Sequence, residues 1–224
     1  MRTSIVVPLL NERERLPRLI DHLRSLLANG NGEVIPVDGG SDDGSAQLLS
    51  SAGFQVIAAE RGRARQMNAG AAVATGDCLL FLHADTRLPQ GALEKIEKAV
   101  SGGNCWGRFD LRICGGSLWF PLIATLINWR SRVSGIATGD QAIFVRRDAF
   151  ERLGGFPEQP LMEDIELSKR LLQLSRPACI RAPAETSGRR WQRYGVLRTV
   201  LLMWRLRFDY WRGISADSLA RRYE

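Results

Sequence analysis

The sequence of 224 residues is poor in the features that mark several large protein classes. Its cysteines, Cys78, Cys105, Cys114 and Cys179, are scattered without a CxxC spacing, which argues against a zinc site or a disulfide framework and favours free thiols. No uncharged run is long enough for a membrane span, and the first apolar run is too short for a signal peptide. We therefore expect a cytoplasmic protein, or one that is peripheral on the inner face of a membrane.

Several nucleotide-binding and nucleic-acid-binding signatures are also missing. There is no GxGxxG between a strand and a helix, which argues against a dinucleotide oxidoreductase. Residues 8–17 read PLLNERERLP, whereas a nucleotidyltransferase of similar α/β fold needs a glycine-rich loop there to hold a triphosphate. No RNA-binding signature is visible, so we expect no nucleic-acid partner.

The charge that is present is carried largely by arginine. The net charge is +7, and only three of the 31 basic residues are lysines. Arginine suits planar, bidentate contacts with phosphate, although genomic base composition gives the same bias. Nucleotides, nucleic acid and an anionic membrane surface all fit such a balance. A non-catalytic basic protein that binds a membrane surface or a polyanion therefore stays an alternative to an enzyme.

Short apolar strands alternate with helical patterns through the first half of the chain. The pattern predicts strands at residues 4–7, 33–37, 54–57 and 78–82, and helices from residue 16 and at 46–51, 63–74 and 91–100. Later strands are predicted in FDLRIC and QAIFV, and later helices in EDIELSKRLLQL and at residues 196–212. This alternation predicts an α/β fold with a mainly parallel central sheet, helices on both faces and a C-terminal amphipathic helix.

Polar side chains follow the predicted strands at the sheet edge where parallel sheets bind ligands. Asn11 and Glu12 follow the first strand, Asp38 ends the second, and His83 and Asp85 follow the fourth. Turn and cap chemistry explains each of them singly. Together, carboxylates at one edge are destabilising unless a cation or hydrogen-bond donors compensate them. The pattern thus indicates a cation-binding edge.

Sequence segments between about residues 4 and 172 resemble, in order, the signature of the family 2 glycosyltransferases. They are IVVPLLNE, VDGGSDDGS, GRARQMNAGAAVATGD, FLHADT, GDQAIFVRRDAFERLGGF and MEDIELSKRL. The resemblance implies a GT-A (nucleotide-diphospho-sugar transferase) domain over residues 1–190, with residues 191–224 as a helical arm. Within the family the chain is most similar to a small bacterial branch associated with arsenosugar-type biosynthesis.

The resemblance also implies a site for a nucleoside diphosphate sugar. The implied nucleotide-binding residues are Pro8, Asn11, Glu12, Asp38, Gly39, Arg65, Asn68, His83 and Ala84. Asp85 keeps the metal-binding position of the family's Asp-x-Asp motif, where His83 replaces the first acid, and Gly39 stands where many members carry a second Asp. The implied cofactor is Mn²⁺ or Mg²⁺, and Mn²⁺ accepts imidazole more readily. His83 either ligates the ion or hydrogen-bonds to ribose or diphosphate.

The implied reaction is metal-dependent, inverting transfer of a sugar to an acceptor hydroxyl. Asp164 matches the family's base and Glu163 an acceptor contact, although acids at a helix start give the same pattern. The residues expected in the acceptor or diphosphate region are Asp140, Arg189, Arg190 and Trp191. The apolar stretch SLWFPLIATLINW is expected to line the acceptor pocket. The acceptor class, whether small molecule, lipid or glycan, stays open.

The arm beyond residue 190 mixes leucines and aromatics with arginines. This composition suits a membrane interface. The same spacing fits packing on the domain or against a second copy in a homodimer. All three arrangements stay open.

Overall fold

The computed structural model describes residues 1–28 and 31–223, without the side chain of Arg190. The strands are β1 (Thr3–Leu9), β2 (Gly32–Asp38), β3 (Ile57–Ala58), β4 (Cys78–Phe81), β5 (Thr86–Arg87), β6 (Trp106–Cys114), β7 (Phe144–Arg146) and β8 (Ala178–Ser187). The helices are α1 (Leu16–Ala28), α2 (Ser45–Ser51), α3 (Arg63–Val73), α4 (Ala92–Ser101), α5 (Phe120–Ser134), α6 (Arg147–Arg152), α7 (Glu163–Leu172), α8 (Arg189–Tyr194), α9 (Val196–Trp211) and α10 (Ala216–Tyr223). A short 3-10 helix covers Gly139–Gln141.

Over the described ranges, the strands form an eight-stranded sheet in the order β3-β2-β1-β4-β7-β6-β8-β5. β1 pairs in parallel with β2 and β4, and β2 with β3, which confirms the predicted β-α-β units. β7 is antiparallel to both β4 and β6, and β6 runs parallel to β8. Leu9 lies opposite Asp38, and Val6 lies opposite Phe81. This register brings the carboxyl ends of β1, β2 and β4 to one edge.

The sheet buries apolar side chains on both faces. Ile5 and Val7 of β1 enter the core under α1 and α4, whereas Val6 enters the core under α3 and α7. Gly70 of α3 lies so close to β1 that a Cβ would sit 2.4 Å from Val6 Cγ1. Glycine therefore allows close contact between helix and sheet, which holds α3 beside the strand ends.

The structure differs from the predicted elements in several places. β3 covers Ile57–Ala58 instead of residues 54–57, and β7 begins at Phe144 because Gln141 lies in the 3-10 helix. The stretch SLWFPLIATLINW contributes most of α5. Pro121 lies in the first turn, where backbone N–H groups make no hydrogen bond within the helix, so the missing N–H of proline costs nothing. β8 has no counterpart among the predicted strands, because charged residues and Pro183 interrupt its apolar pattern.

The C-terminal helices pack on the rest of the fold. Leu206 of α9 and Leu219 of α10 join Leu161, Met162 and Ile165 in one buried cluster. The predicted arm thus lies against the beginning of α7. Within residues 1–28 and 31–223, the helices fall short of the length and apolarity that crossing a bilayer requires.

Candidate active site

A cavity of about 480 Å³ lies between α5, α9 and the loops that precede α7. One end is lined by polar side chains, namely Arg63, His83, Asp140, Glu163 and Asp164. The rest is mainly apolar, with Leu111, Ile123, Leu126, Ile127, Trp129, Trp191, Val200, Met203 and Trp204 in its walls. The cavity therefore joins His83, one of the strand-end residues predicted from the sequence, to an apolar chamber.

His83, Asp85 and Asp140 form a cluster at the polar end. One ligand atom from each lies within 4.8 Å of the others, and His83 Nδ1 is 3.3 Å from Asp140 Oδ1. The loop carrying Asp140 approaches closely because Gly139 has no side chain; a Cβ there would lie 2.3 Å from the His83 ring. One nitrogen and two carboxylates next to an open cavity are a donor set that suits a divalent cation with exchangeable positions.

The cluster carries two carboxylates and one imidazole, so negative charge is in excess. Burial and the charge of Asp140 raise the pKa of Asp85. Burial disfavours the charged imidazole of His83, but the hydrogen bond and negative charge of Asp140 outweigh burial and raise the pKa of His83. Burial would also raise the pKa of Asp140, yet His83 lowers it. Two carboxylates beside a single imidazole leave room for a further positive charge.

Two further carboxylates enter the polar end at the start of α7. Glu163 is buried, and its Oε1 lies 3.4 Å from Nε of Arg63. Burial raises the pKa of Glu163, although the charge of Arg63 opposes this. Asp164 Oδ2 accepts a hydrogen bond from the Gly139 backbone N–H at 2.9 Å, and its Oδ1 accepts one from Ile165 N–H at 2.7 Å. These bonds fix the Asp164 carboxylate while each oxygen keeps a free lone pair.

Asp38 and Asn11 connect the loops after β1 and β2. Asp38 Oδ2 accepts hydrogen bonds from the backbone N–H groups of Gly40 (3.1 Å) and Ser41 (3.0 Å). Asn11 donates its backbone N–H to Ser41 Oγ at 2.9 Å, and its Oδ1 accepts from Asp42 N–H at 3.0 Å. The two loops are therefore preformed at the sheet edge.

Four more residues predicted to contact the nucleotide lie in or just after β1, β2 and β4 and are also held in place. Pro8 is buried in β1, and the backbone N–H of Glu12 donates to Ser45 Oγ at 3.0 Å, while its carboxylate pairs with Arg15. Gly39 is buried directly after Asp38. Half-buried Ala84 packs against the core under α1 and α4. Their nucleotide contacts stay predictions.

Arg65 and Asn68 on α3 bind neighbouring protein groups. Arg65 pairs at the surface with Glu60 (2.7 Å) and Glu158 (3.6 Å). The amide of Asn68 donates to the carbonyl of Phe156 and accepts from its N–H, both at 2.9 Å. Among the described residues, neither is part of the cavity wall, and their nucleotide contacts also stay predictions.

Arg63 was not among the predicted site residues, although it belongs to the same GRARQ stretch. Two arginines two positions apart on a helix point to nearly opposite sides. Arg63, not Arg65, enters the cavity and pairs with Glu163. Because Glu163 lies on a distant element, the sequence alone does not show which arginine faces the site.

The structure separates the residues predicted near α8. Trp191 lines the cavity and packs against the cluster around Phe120 and Ile123. Arg189 is exposed at the start of α8, with its backbone N–H donating to Ser187 Oγ at 3.3 Å. The side chain of Arg190 lies outside the described residues.

Residues 4–154 match the family described as Glycosyl transferase family 2, and the chain belongs to this family. It is 29% identical over 178 residues to a dolichol-phosphate mannosyltransferase of Pyrococcus furiosus, covering 75% of this chain and 49% of that protein. It is 32% identical over 158 residues to an undecaprenyl-phosphate 4-deoxy-4-formamido-L-arabinose transferase of an Enterobacter species, covering 65% of this chain and 48% of that protein. The chain thus spans about half the length of these relatives.

A solved structure shares the fold. The mannosyltransferase PcManGT of Pyrobaculum calidifontis, in complex with GDP-Man and Mn²⁺, superposes with a TM-score of 0.63 at 20% identity. The match covers 83% of this chain and 56% of that one. The expected GT-A fold and the expected membership of glycosyltransferase family 2 are therefore confirmed.

Proposed function

We propose that the protein is a metal-dependent, inverting glycosyltransferase that moves a sugar from a nucleoside diphosphate sugar to an acceptor hydroxyl. The observation that carries this proposal is the cluster of His83, Asp85 and Asp140 in the same polar region as Glu163 and Asp164. Its support from outside the chain is PcManGT, which shares the fold and is complexed with GDP-Man and Mn²⁺.

His83, Asp85 and Asp140 are the residues that would hold Mn²⁺ or Mg²⁺. A nitrogen beside two carboxylates favours Mn²⁺ over Mg²⁺. When bound, the ion neutralises the charge that develops on the leaving diphosphate. Asp140, expected from the sequence in the acceptor or diphosphate region, thereby becomes a third ligand. Arg63 places a fixed positive charge beside the same region.

Asp164 is the proposed base. As the acceptor oxygen bonds to the anomeric carbon and the bond to the diphosphate breaks, the acceptor proton passes to the Asp164 carboxylate. The N–H groups of Gly139 and Ile165 hold this carboxylate in place. Glu163, paired with Arg63, contacts the acceptor. A single displacement with the base on the acceptor side inverts the anomeric centre.

The preformed loops after β1 and β2 would bind the nucleotide. Asp38 is the proposed contact to the base, and Asn11 keeps the two loops together. The proposal includes either uracil or guanine as the base. It also includes a role in the arsenosugar-type branch of the family.

The apolar side of the protein supports attachment to a membrane surface. The exposed apolar side chains on α5 and α9, together with the two residues before α5, are Leu118, Trp119, Leu122, Leu126, Trp129, Val133, Leu197, Leu201, Trp204, Phe208 and Trp211. Arg198, Arg205 and Arg212 lie on or just after α9. Aromatic and basic residues together suit a membrane interface. A homodimer that covers α9 is the competing arrangement.

The test is a transfer assay with UDP-sugars and GDP-sugars, with and without Mn²⁺. Metal-dependent release of nucleoside diphosphate supports the proposal. Release of pyrophosphate from a nucleoside triphosphate would instead indicate a nucleotidyltransferase. Binding of anionic vesicles or polyanions with no response to any nucleotide would indicate the non-catalytic alternative.

A further inference from the structure

Arg130 of α5 extends into the cavity with part of its guanidinium unpaired. Its Nε and Nη2 are buried and have no hydrogen-bond partner among the described residues. Asp110 of β6 is engaged elsewhere, because it pairs with the buried Arg108 and, at 2.7 Å, with Arg132. Arg207 of α9, which also lines the cavity, likewise has a buried Nε without a partner in the described chain.

Such a group destabilises the free protein. Burial lowers the pKa of Arg130; the charge of Asp164 opposes this shift, and that of Arg108 adds to it. A buried guanidinium is normally paired, because desolvation without hydrogen bonds is unfavourable. Two such groups from different helices that face one cavity indicate a missing anionic partner.

The walls around these arginines are apolar. Ile123, Ile127 and Met203 line the chamber. Trp129 and Trp204 also line it, yet they are 65% and 68% exposed, so they stand where the cavity meets the surface. This mouth continues into the exposed apolar residues of α5 and α9. A soluble phosphate compound would fill the arginine end and leave these walls in contact with water.

We propose that the part of the cavity between α5 and α9 binds an anionic lipid, whose phosphate-bearing head group is held by Arg130 and Arg207 and whose apolar chain leaves between Trp129 and Trp204. The proposal rests on the proposed function, since it names the acceptor class of the same site. The guanidinium groups offset the repulsion that Glu163 and Asp164 would exert on an anionic head group. The carboxylates and the arginines thus act on one ligand.

The proposal is tested with the full chain and three probes, decyl phosphate, decanol and inorganic phosphate, by titration calorimetry below the micellar range. Decyl phosphate is expected to bind at least about tenfold more tightly than either of the others, because only it satisfies both the arginines and the apolar walls. Arg130→Met should weaken decyl phosphate binding by about tenfold or more and leave decanol binding unchanged. Arg18→Gln, which removes an exposed arginine on α1, is the matched control and should change neither.

The thermal unfolding of Arg130→Met provides a readout that a merely structural arginine would not give. Removing an unpaired buried guanidinium should raise the Tm of the free protein while binding falls. A lower Tm together with unchanged decyl phosphate binding would overturn the proposal. So would equal binding of decyl phosphate and decanol, or of decyl phosphate and inorganic phosphate.

Nucleotide binding distinguishes the two proposals. If a nucleoside diphosphate binds with Mn²⁺ but decyl phosphate shows no advantage, the lipid inference fails and the proposed function stands. If decyl phosphate binds through Arg130 but no nucleoside diphosphate binds with Mn²⁺, the proposed function fails and the anionic lipid site stands.

Discussion

The loops after β1 and β2 satisfy their polar groups with one another, whereas the walls formed by α5 and α9 leave polar groups unpaired and apolar groups exposed. On the first side, Asp38 and Asn11 bind backbone N–H groups of the neighbouring loop. On the second side, Arg130 and Arg207 keep buried N–H groups without partners in the described chain, and Trp204 faces solvent. We call these two regions, after their proposed roles, the donor side and the acceptor side.

The difference shows which side has already formed its hydrogen bonds before a ligand binds. A preformed loop would need little rearrangement to bind a nucleotide. The affinity for the nucleotide is therefore not reduced by an entropy cost of ordering the loop. The acceptor side gains its missing contacts only from a ligand or a surface. Binding on that side is therefore expected to stabilise the protein strongly.

Backbone strain occurs on the donor side and in the loops next to the metal cluster and α7. In the described chain, the non-glycine residues with positive φ are Asn11 (55°), Ala142 (47°) and Met162 (66°). Asn11 lies in the loop after β1, Ala142 follows the loop of Asp140, and Met162 precedes Glu163. Strained residues of this kind persist where the surroundings fix them, and functional sites are common among such places.

The largest effect is expected for Asp164→Asn, which removes the proposed base. Transfer should fall by about 10²- to 10⁴-fold, because the acceptor hydroxyl loses its proton acceptor. Nucleotide binding, measured in parallel by calorimetry, should stay unchanged, since the donor side is untouched. Glu166→Gln on the same helix is the control. An Asp164→Asn protein with normal turnover would mean that another group is the base.

A smaller loss is expected for Asp140→Asn, which removes one proposed metal ligand that also pairs with His83. Affinity for Mn²⁺ in the presence of a nucleoside diphosphate should fall by about 10- to 100-fold. Titration of the protein with Mn²⁺ measures this affinity. Asp42→Asn, an exposed acid at the same sheet edge, should retain the wild-type value. Equal values for both variants would place Asp140 outside the metal site.

Trp204→Ser tests the exposed part of the acceptor side. Binding to vesicles that contain anionic lipid should fall several-fold, because an aromatic side chain at an interface contributes buried apolar area. Co-sedimentation with vesicles measures the effect. Val73→Ser, which removes an exposed apolar residue of α3, is the control. If the wild-type chain stays in the supernatant and is dimeric, α9 is a protein interface instead.

The smallest effect concerns the stability of the fold around α1, which carries His22. His22 Nε2 accepts a hydrogen bond from Leu88 N–H at 2.9 Å, and burial, helped by the charge of Arg87, lowers the pKa of His22 to about 4. The unfolded chain, with a histidine pKa near 6.5, takes up the proton first, so the free energy of unfolding falls as the pH drops from about 6.5 to about 4. Between pH 7 and pH 5 the loss should be about 1–2 kcal/mol.

Urea unfolding of the wild type and of His22→Gln at both pH values measures this loss. The variant should lack that part of the pH dependence, because glutamine does not titrate. Identical pH dependence in the two proteins would show that His22 is accessible to protons in the folded state.

The donor side and the strand ends beside it could be predicted from the sequence because their signals are local. β1, β2 and β4 are short apolar runs, and the polar residues at or after their ends belong to the same strand-and-turn segments, so Asp38, His83 and Asp85 could be placed at one edge. The acceptor side depends on contacts between distant segments. The pairing of Arg63 with Glu163, the entry of Arg130 and Arg207 into one cavity, and the pairing of β8 with β6 each join parts of the chain with no shared local pattern.

The most direct test is calorimetric binding of a nucleoside diphosphate with and without Mn²⁺, in the wild type and in Asp85→Asn. The cluster of His83, Asp85 and Asp140 predicts that Mn²⁺ tightens binding to the wild type by at least about tenfold. In Asp85→Asn this gain should disappear while the fold stays intact by circular dichroism. Equal affinity with and without Mn²⁺ in the wild type, or a full Mn²⁺ response in Asp85→Asn, would contradict the assignment of this cluster as the metal site.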